Sequence, residues 1–137
     1  MRTIDDFDEL VDLVERSGAL FVRYSNGPAA DAGGRSRDYE ADVDLPGWSV
    51  TTLRPEPWWP RPVADWVARQ VFKYGELAEA DPSRRPWVLA GRVVGNGPDH
   101  EPLVDDVAPV GWLSPTLLQE AKRRYHERFD VGRDSTG

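Results

Sequence analysis

Trp87-Val88-Leu89-Ala90-Gly91-Arg92-Val93-Val94-Gly95-Asn96-Gly97-Pro98-Asp99 decides how this chain folds. Its first part, apolar apart from Arg92 and rich in valine, predicts a strand. Gly95 to Asp99 then supplies residues that accept turn geometry, so the strand ends in a turn. Beyond the turn, Leu103-Val104 and Val107 to Leu113 predict short strands, interrupted at Pro109 because proline cannot donate to a ladder. Ser114-Pro115 reads as an N-cap followed by proline at the first helical position. It opens a helix to about Phe129 that turns Leu117, Leu118, Ala121, Tyr125 and Phe129 inward.

Upstream lies Arg54-Pro55-Glu56-Pro57-Trp58-Trp59-Pro60-Arg61-Pro62-Val63-Ala64-Asp65-Trp66, with three of the six tryptophans and four prolines. Proline fixes φ and removes a donor, so the arm cannot be an interior strand or mid-helix. A helix is expected from Pro62, with Val63, Trp66, Val67, Val71 and Tyr74 buried, fraying from Gly75 and ended by Asp81-Pro82. Before the arm, Trp48 to Leu53 predicts one strand entered through Leu45-Pro46-Gly47. Residues 29–38 read as a mobile loop of small residues. Ala19 to Ser25 predicts a buried strand, broken by Asn26-Gly27-Pro28. Ile4, Phe7, Leu10, Val11 and Val14 place one apolar stripe on a helix from Ile4 to Arg16, capped at Thr3 and stopped at Ser17-Gly18.

This order predicts an α+β fold: a small mixed or mainly antiparallel sheet of about four or five strands with three helices packed on it. Residues 1–129 form one domain in this reading, and 130–137 a disordered tail.

The net charge is −7, with residues 1–50 holding 11 acids against 5 bases. That balance argues against general nucleic-acid binding, which needs a basic face. Arg84-Arg85 and Lys122-Arg123-Arg124 with Arg128 are local basic clusters; the second suits a helix C-terminus. There is no cysteine, which removes disulfides, thiol catalysis and cysteine-ligated metals. No apolar run is long enough to span a bilayer and no signal-peptide pattern is seen, so the expected compartment is the cytoplasm. Arginine outnumbers lysine 15 to 2, which fits a bacterial genome of high GC content.

Arg23 near the end of a buried strand needs an anion: Glu40, Glu56 or Glu101 within the fold, or a ligand. His100 lies in a loop between Asp99 and Glu101, whereas His126 falls on the polar side of the last helix. Asp99, Glu101 and Asp105 do not match the calcium-loop spacing, and no metal is assigned. Trp58 and Trp59 either fold back into a satellite core with Trp66 and Trp48 or line a pocket or interface. The candidate contact residues are Tyr24, Trp48, Trp58, Trp59 and His100.

Leu20 to Pro28, Leu45 to Val50 through Pro55-Glu56-Pro57-Trp58-Trp59, and Gly97 to Val104 resemble a family of short uncharacterised bacterial proteins, a domain of unknown function. A more distant resemblance is to arginine–serine–glutamate ADP-ribosyltransferases. Arg23, Ser49-Val50-Thr51 and Asp99-His100-Glu101 follow that order, with Thr51 and Asp99 departing from the pattern. The resemblance implies Arg23, Ser49 and Glu101 as catalytic residues and NAD as the cofactor. The leading expectation is a domain binding a partner protein or small ligand through its Trp/Pro-rich surface. An NAD-consuming enzyme and a small homodimeric accessory protein are the alternatives.

Overall fold

The computed structural model describes residues 1–32, 37–38 and 43–129. The elements are β1 (Arg2–Ile4), α1 (Phe7–Ser17), β2 (Leu20–Ser25), α2 (Pro28–Asp31), β3 (Arg37–Asp38), β4 (Val43–Asp44), β5 (Trp48–Ser49) and β6 (Thr51–Thr52). They continue with α3 (Val63–Val71), α4 (Tyr74–Ala80), β7 (Arg85–Asn96), β8 (Pro102–Leu113) and α5 (Pro115–Phe129). The fold is α+β, as the sequence predicts, and the sheet is mixed.

The long hairpin β7–β8 is the frame. β2 lies antiparallel along β7, while β1 lies parallel to the end of β8. Three register shifts along β7–β8 bend the hairpin. The bend lets one short segment reach both edges of the sheet. Trp48-Ser49 pairs with β8 and Thr51-Thr52 pairs with β2, with Val50 between them. The sheet therefore curls on itself. Phe21, Val50, Trp87, Leu89 and Val104 fill the inside of the curl. Leu20, Val22, Val88 and Leu113 point outward into a second core, closed by apolar residues of α1, α3, α4 and α5.

Several expectations change. The stretch Trp48 to Leu53 is two strands, because its halves serve opposite edges. Leu103–Leu113 is one strand through Pro109, which lies beside a register shift and outside the segments of β8 that pair with β1 and β5. α1 starts at Phe7 and is capped by the Asp6 side chain, not by Thr3, which belongs to β1. Gly18 ends it in the left-handed conformation, as a C-terminal glycine should. The helix expected from Pro62 is broken into α3 and α4 around Phe72-Lys73. Residues 28–31 are a helical turn where a loop is expected, and Arg37-Asp38 pairs with Val43-Asp44. The expected tail at 130–137 lies outside the described residues.

Candidate functional site

The aromatic arm is built from its backbone outward. A turn closes from the Trp59 amide to the Glu56 carbonyl at 3.0 Å, and Pro62 leads directly into α3. Trp66 on α3 is 4 % exposed, and its Nε1 donates to the Thr52 carbonyl at 3.3 Å. Gln70 Nε2 donates to the same oxygen at 3.0 Å. Trp59 Nε1 donates to the Pro62 carbonyl at 3.2 Å. These bonds fix two indoles on which the third rests. Trp58 meets Trp59 and Trp66 edge-on, with centroids 6.0 and 6.2 Å away, yet is 66 % exposed.

Guanidinium groups surround this cluster. Arg69 lies over the rings of Trp59 and Trp66, at 5.8 and 5.6 Å. Arg61 lies 4.5 Å from the Phe129 centroid and donates to the Arg128 carbonyl. The nearby buried carboxylate of Asp65 is occupied by Arg124 at 3.0 Å, with Arg128 at 3.9 Å.

Trp48 does not join this group. It lies on the inner face of the curl, edge-on to Trp87 at 6.2 Å and under the Arg23 guanidinium. Among the described residues the anion at Arg23 is Asp31, an acid the sequence reading does not propose; Glu40, one of the expected acids, lies outside the described residues. Arg23 Nε donates to Asp31 Oδ2 at 2.7 Å, and Nη1 donates to the Ser49 carbonyl at 2.8 Å. Ser25 Oγ donates to the same Asp31 oxygen and accepts from Trp87 Nε1. Tyr24 points to the helical face, where it stacks on Tyr74 at 5.5 Å and carries Arg84 over its ring. Burial pushes the Tyr74 phenol above its ordinary pKa, and the Thr51 hydroxyl beside it partly offsets this.

His100 and Glu101 sit at the tip of the β7–β8 hairpin. His100 is exposed, in the left-handed region at φ 64°, with its amide donating to the Gly97 carbonyl. The Glu101 carboxylate accepts from the Asp99 amide at 3.1 Å and so closes the turn. Asp105 instead grips Arg92 through two hydrogen bonds, which hold its carboxyl below the usual range. Arg23 thus contacts the backbone of Ser49, while the Glu101 carboxylate is engaged at the hairpin tip. Among the described residues no group of three or more histidines and acids could hold a metal ion.

A cavity of about 510 Å³ opens between α4 and α5. Phe72, Leu113 and Leu118 line it, with Pro82, Pro86 and Pro115 among the surrounding residues. None of these residues carries a sequence pattern that marks a site. Leu118 reads in the sequence as core, and a helix–helix gap has no local pattern that announces it. The cavity is linked to the arm through stacked rings. Phe72 stacks on Tyr125 at 4.0 Å, Tyr125 packs on Phe129 at 5.0 Å, and Phe129 packs on Trp59 at 6.1 Å.

Architecture and site together define a small α+β domain with a curled sheet, an aromatic–arginine arm on one side and an apolar cavity under α4. The chain belongs to a family of unknown function (DUF6098), whose model matches residues 1–136. No curated protein and no solved structure matches it. Among the described residues no helix is long and apolar enough to cross a membrane.

Proposed function

We propose that this domain recognises a partner protein through the aromatic arm, with Trp58 as the anchor. The observation that carries this reading is the exposure of Trp58 on a rigid base: 66 % accessible, yet braced by two indoles whose own hydrogen bonds are satisfied. Four prolines order the segment before any partner arrives, so little conformational entropy remains to be lost on binding. Tryptophan and arginine are the side chains that dominate interface energetics. Arg61 and Arg69 form no ion pair among the described residues. They make a positive flank on a chain of net charge −7, and an acidic surface is its electrostatic complement.

The test compares wild type with Trp58→Ala, and with Leu77→Ala as an exposed apolar control. Each is used to capture proteins from the native host, and a protein lost only from Trp58→Ala is purified and titrated. The expected result is binding weakened about tenfold or more by Trp58→Ala, and weakened by added salt. Equal affinity for wild type and Trp58→Ala overturns the reading. A wild-type dimer that Trp58→Ala dissociates would replace the partner protein with a second copy of the chain.

A further inference from the structure

We infer that the cavity between α4 and α5 is a second, separate binding site, for a small apolar molecule carrying one ammonium group. Its volume, about 510 Å³, lies in the range that encloses drug-sized ligands, roughly 300–1,000 Å³. The lining is chiefly apolar. Leu113 and Leu118 are otherwise core residues, and Phe72 is held by its stack on Tyr125. Pro82, Pro86 and Pro115 stiffen the surrounding backbone, so the hollow cannot readily collapse onto itself.

The charges at the cavity select the ligand class. α4 contributes Glu76 and Glu79, one turn apart. Lys122 on α5 bonds to Glu76 at 3.2 Å and neutralises one of them. Arg85 also borders the cavity, but its guanidinium is drawn 4.4 Å from the ring of Trp112, which packs with the core inside the curl. The Glu79 carboxylate has no hydrogen-bond or ion-pair partner among the described residues. The four charges at the cavity sum to zero, but only Glu79 is left without a protein partner among the described residues, since Lys122 and Glu76 hold each other and the Arg85 guanidinium is engaged by the Trp112 ring. The cavity therefore offers an apolar wall and one unpartnered carboxylate. An ammonium on an apolar body satisfies both: the body displaces water from Phe72, Leu113 and Leu118, and the head meets Glu79.

Three probes with one apolar body separate the contributions: 4-phenylbutylamine, 4-phenylbutanol and 4-phenylbutyrate, each titrated by calorimetry or NMR. The amine should bind most tightly, the alcohol more weakly and the acid least. Glu79→Gln should weaken the amine about fivefold, as expected for one exposed ion pair, and leave the alcohol unchanged. Ala78→Trp, at a partly exposed lining position, should obstruct the cavity and abolish binding while far-UV circular dichroism remains that of wild type. The inference is overturned if the acid binds as well as the amine, if no probe binds at millimolar concentration, or if folded Ala78→Trp binds as wild type does. Trp58→Ala should bind all three probes normally, which keeps this result independent of the arm.

Discussion

Arg23 Nε donates to Asp31 Oδ2 at 2.7 Å, tying the end of β2 to the helical turn α2 beside the inner face of the curled sheet. Both side chains are mostly withdrawn from water, at 17 and 15 % exposure. The same carboxylate oxygen accepts from Ser25, whose hydroxyl oxygen accepts from the buried Trp87 indole and the Gly27 amide. One acid thus organises a cation, a hydroxyl and an indole.

Replacing that acid should disturb more than one bond. In Asp31→Ala the Arg23 guanidinium loses a charged partner and Ser25 loses its acceptor. A charged hydrogen bond in such a site is worth about 2 kcal/mol, and the loss should appear as an earlier urea midpoint. Ser25→Ala should cost less, about 1 kcal/mol. An unchanged midpoint in Asp31→Ala would remove the network from any account of stability.

Gly27 carries a second structural demand. Its φ is 110°, and a Cβ built there would stand 2.7 Å from Cη2 of Trp112. Gly27→Ala therefore meets both backbone strain and a ring that is packed against the core inside the curl. A cost of about 3 kcal/mol is expected from the two together, read as a lower thermal midpoint. A companion Gly18→Ala change, at φ 73° with open space around it, should show the backbone contribution alone.

These residues mark what the sequence discloses and what it conceals. Arg23 is legible as a cation in need of an anion, because an arginine on an apolar strand cannot stay unpaired. That Asp31 is one of its partners is not legible, since Asp31 lies in small residues whose helical turn has no amphipathic period to reveal it. The stripe of α1 and the N-cap at Ser114 are local, and both are readable; Ser114 Oγ accepts from the Leu117 amide at 3.1 Å. The split of residues 48–52 between two edges depends on the curl of β7–β8, which no window of neighbouring residues encodes. Likewise Trp48 reads as a natural companion of Trp58, but the sheet lies between them.

The arm permits a contrast between two tryptophans in one cluster. Trp66→Ala removes a buried indole and leaves a cavity, so it should cost about 3–5 kcal/mol. Trp58→Ala removes a mostly exposed one and should change stability by about 0.5 kcal/mol. Chemical denaturation of both variants checks this. Equal losses would mean that Trp58 serves the fold, and the case for an exposed anchor would fail with it.

Tyr74 makes the stability of the domain depend on alkaline pH. Its phenol is raised above the ordinary value of 10.0, first because burial disfavours the phenolate, with the Thr51 hydroxyl acting in the opposite sense. Below pH 10 the group is protonated in both folded and unfolded chains and adds no slope. Above it, the unfolded chain loses this proton more readily than the folded one. The unfolded state then binds fewer protons, so stability falls as pH rises. Tyr74→Phe keeps the ring that stacks on Tyr24 and removes the ionisation. Urea midpoints measured from pH 8 to 11 should therefore fall less steeply for Tyr74→Phe than for wild type. Parallel curves would show that the Tyr74 phenol is not held in its neutral form by the fold, and that water reaches the interface between α4 and β2 at that ring.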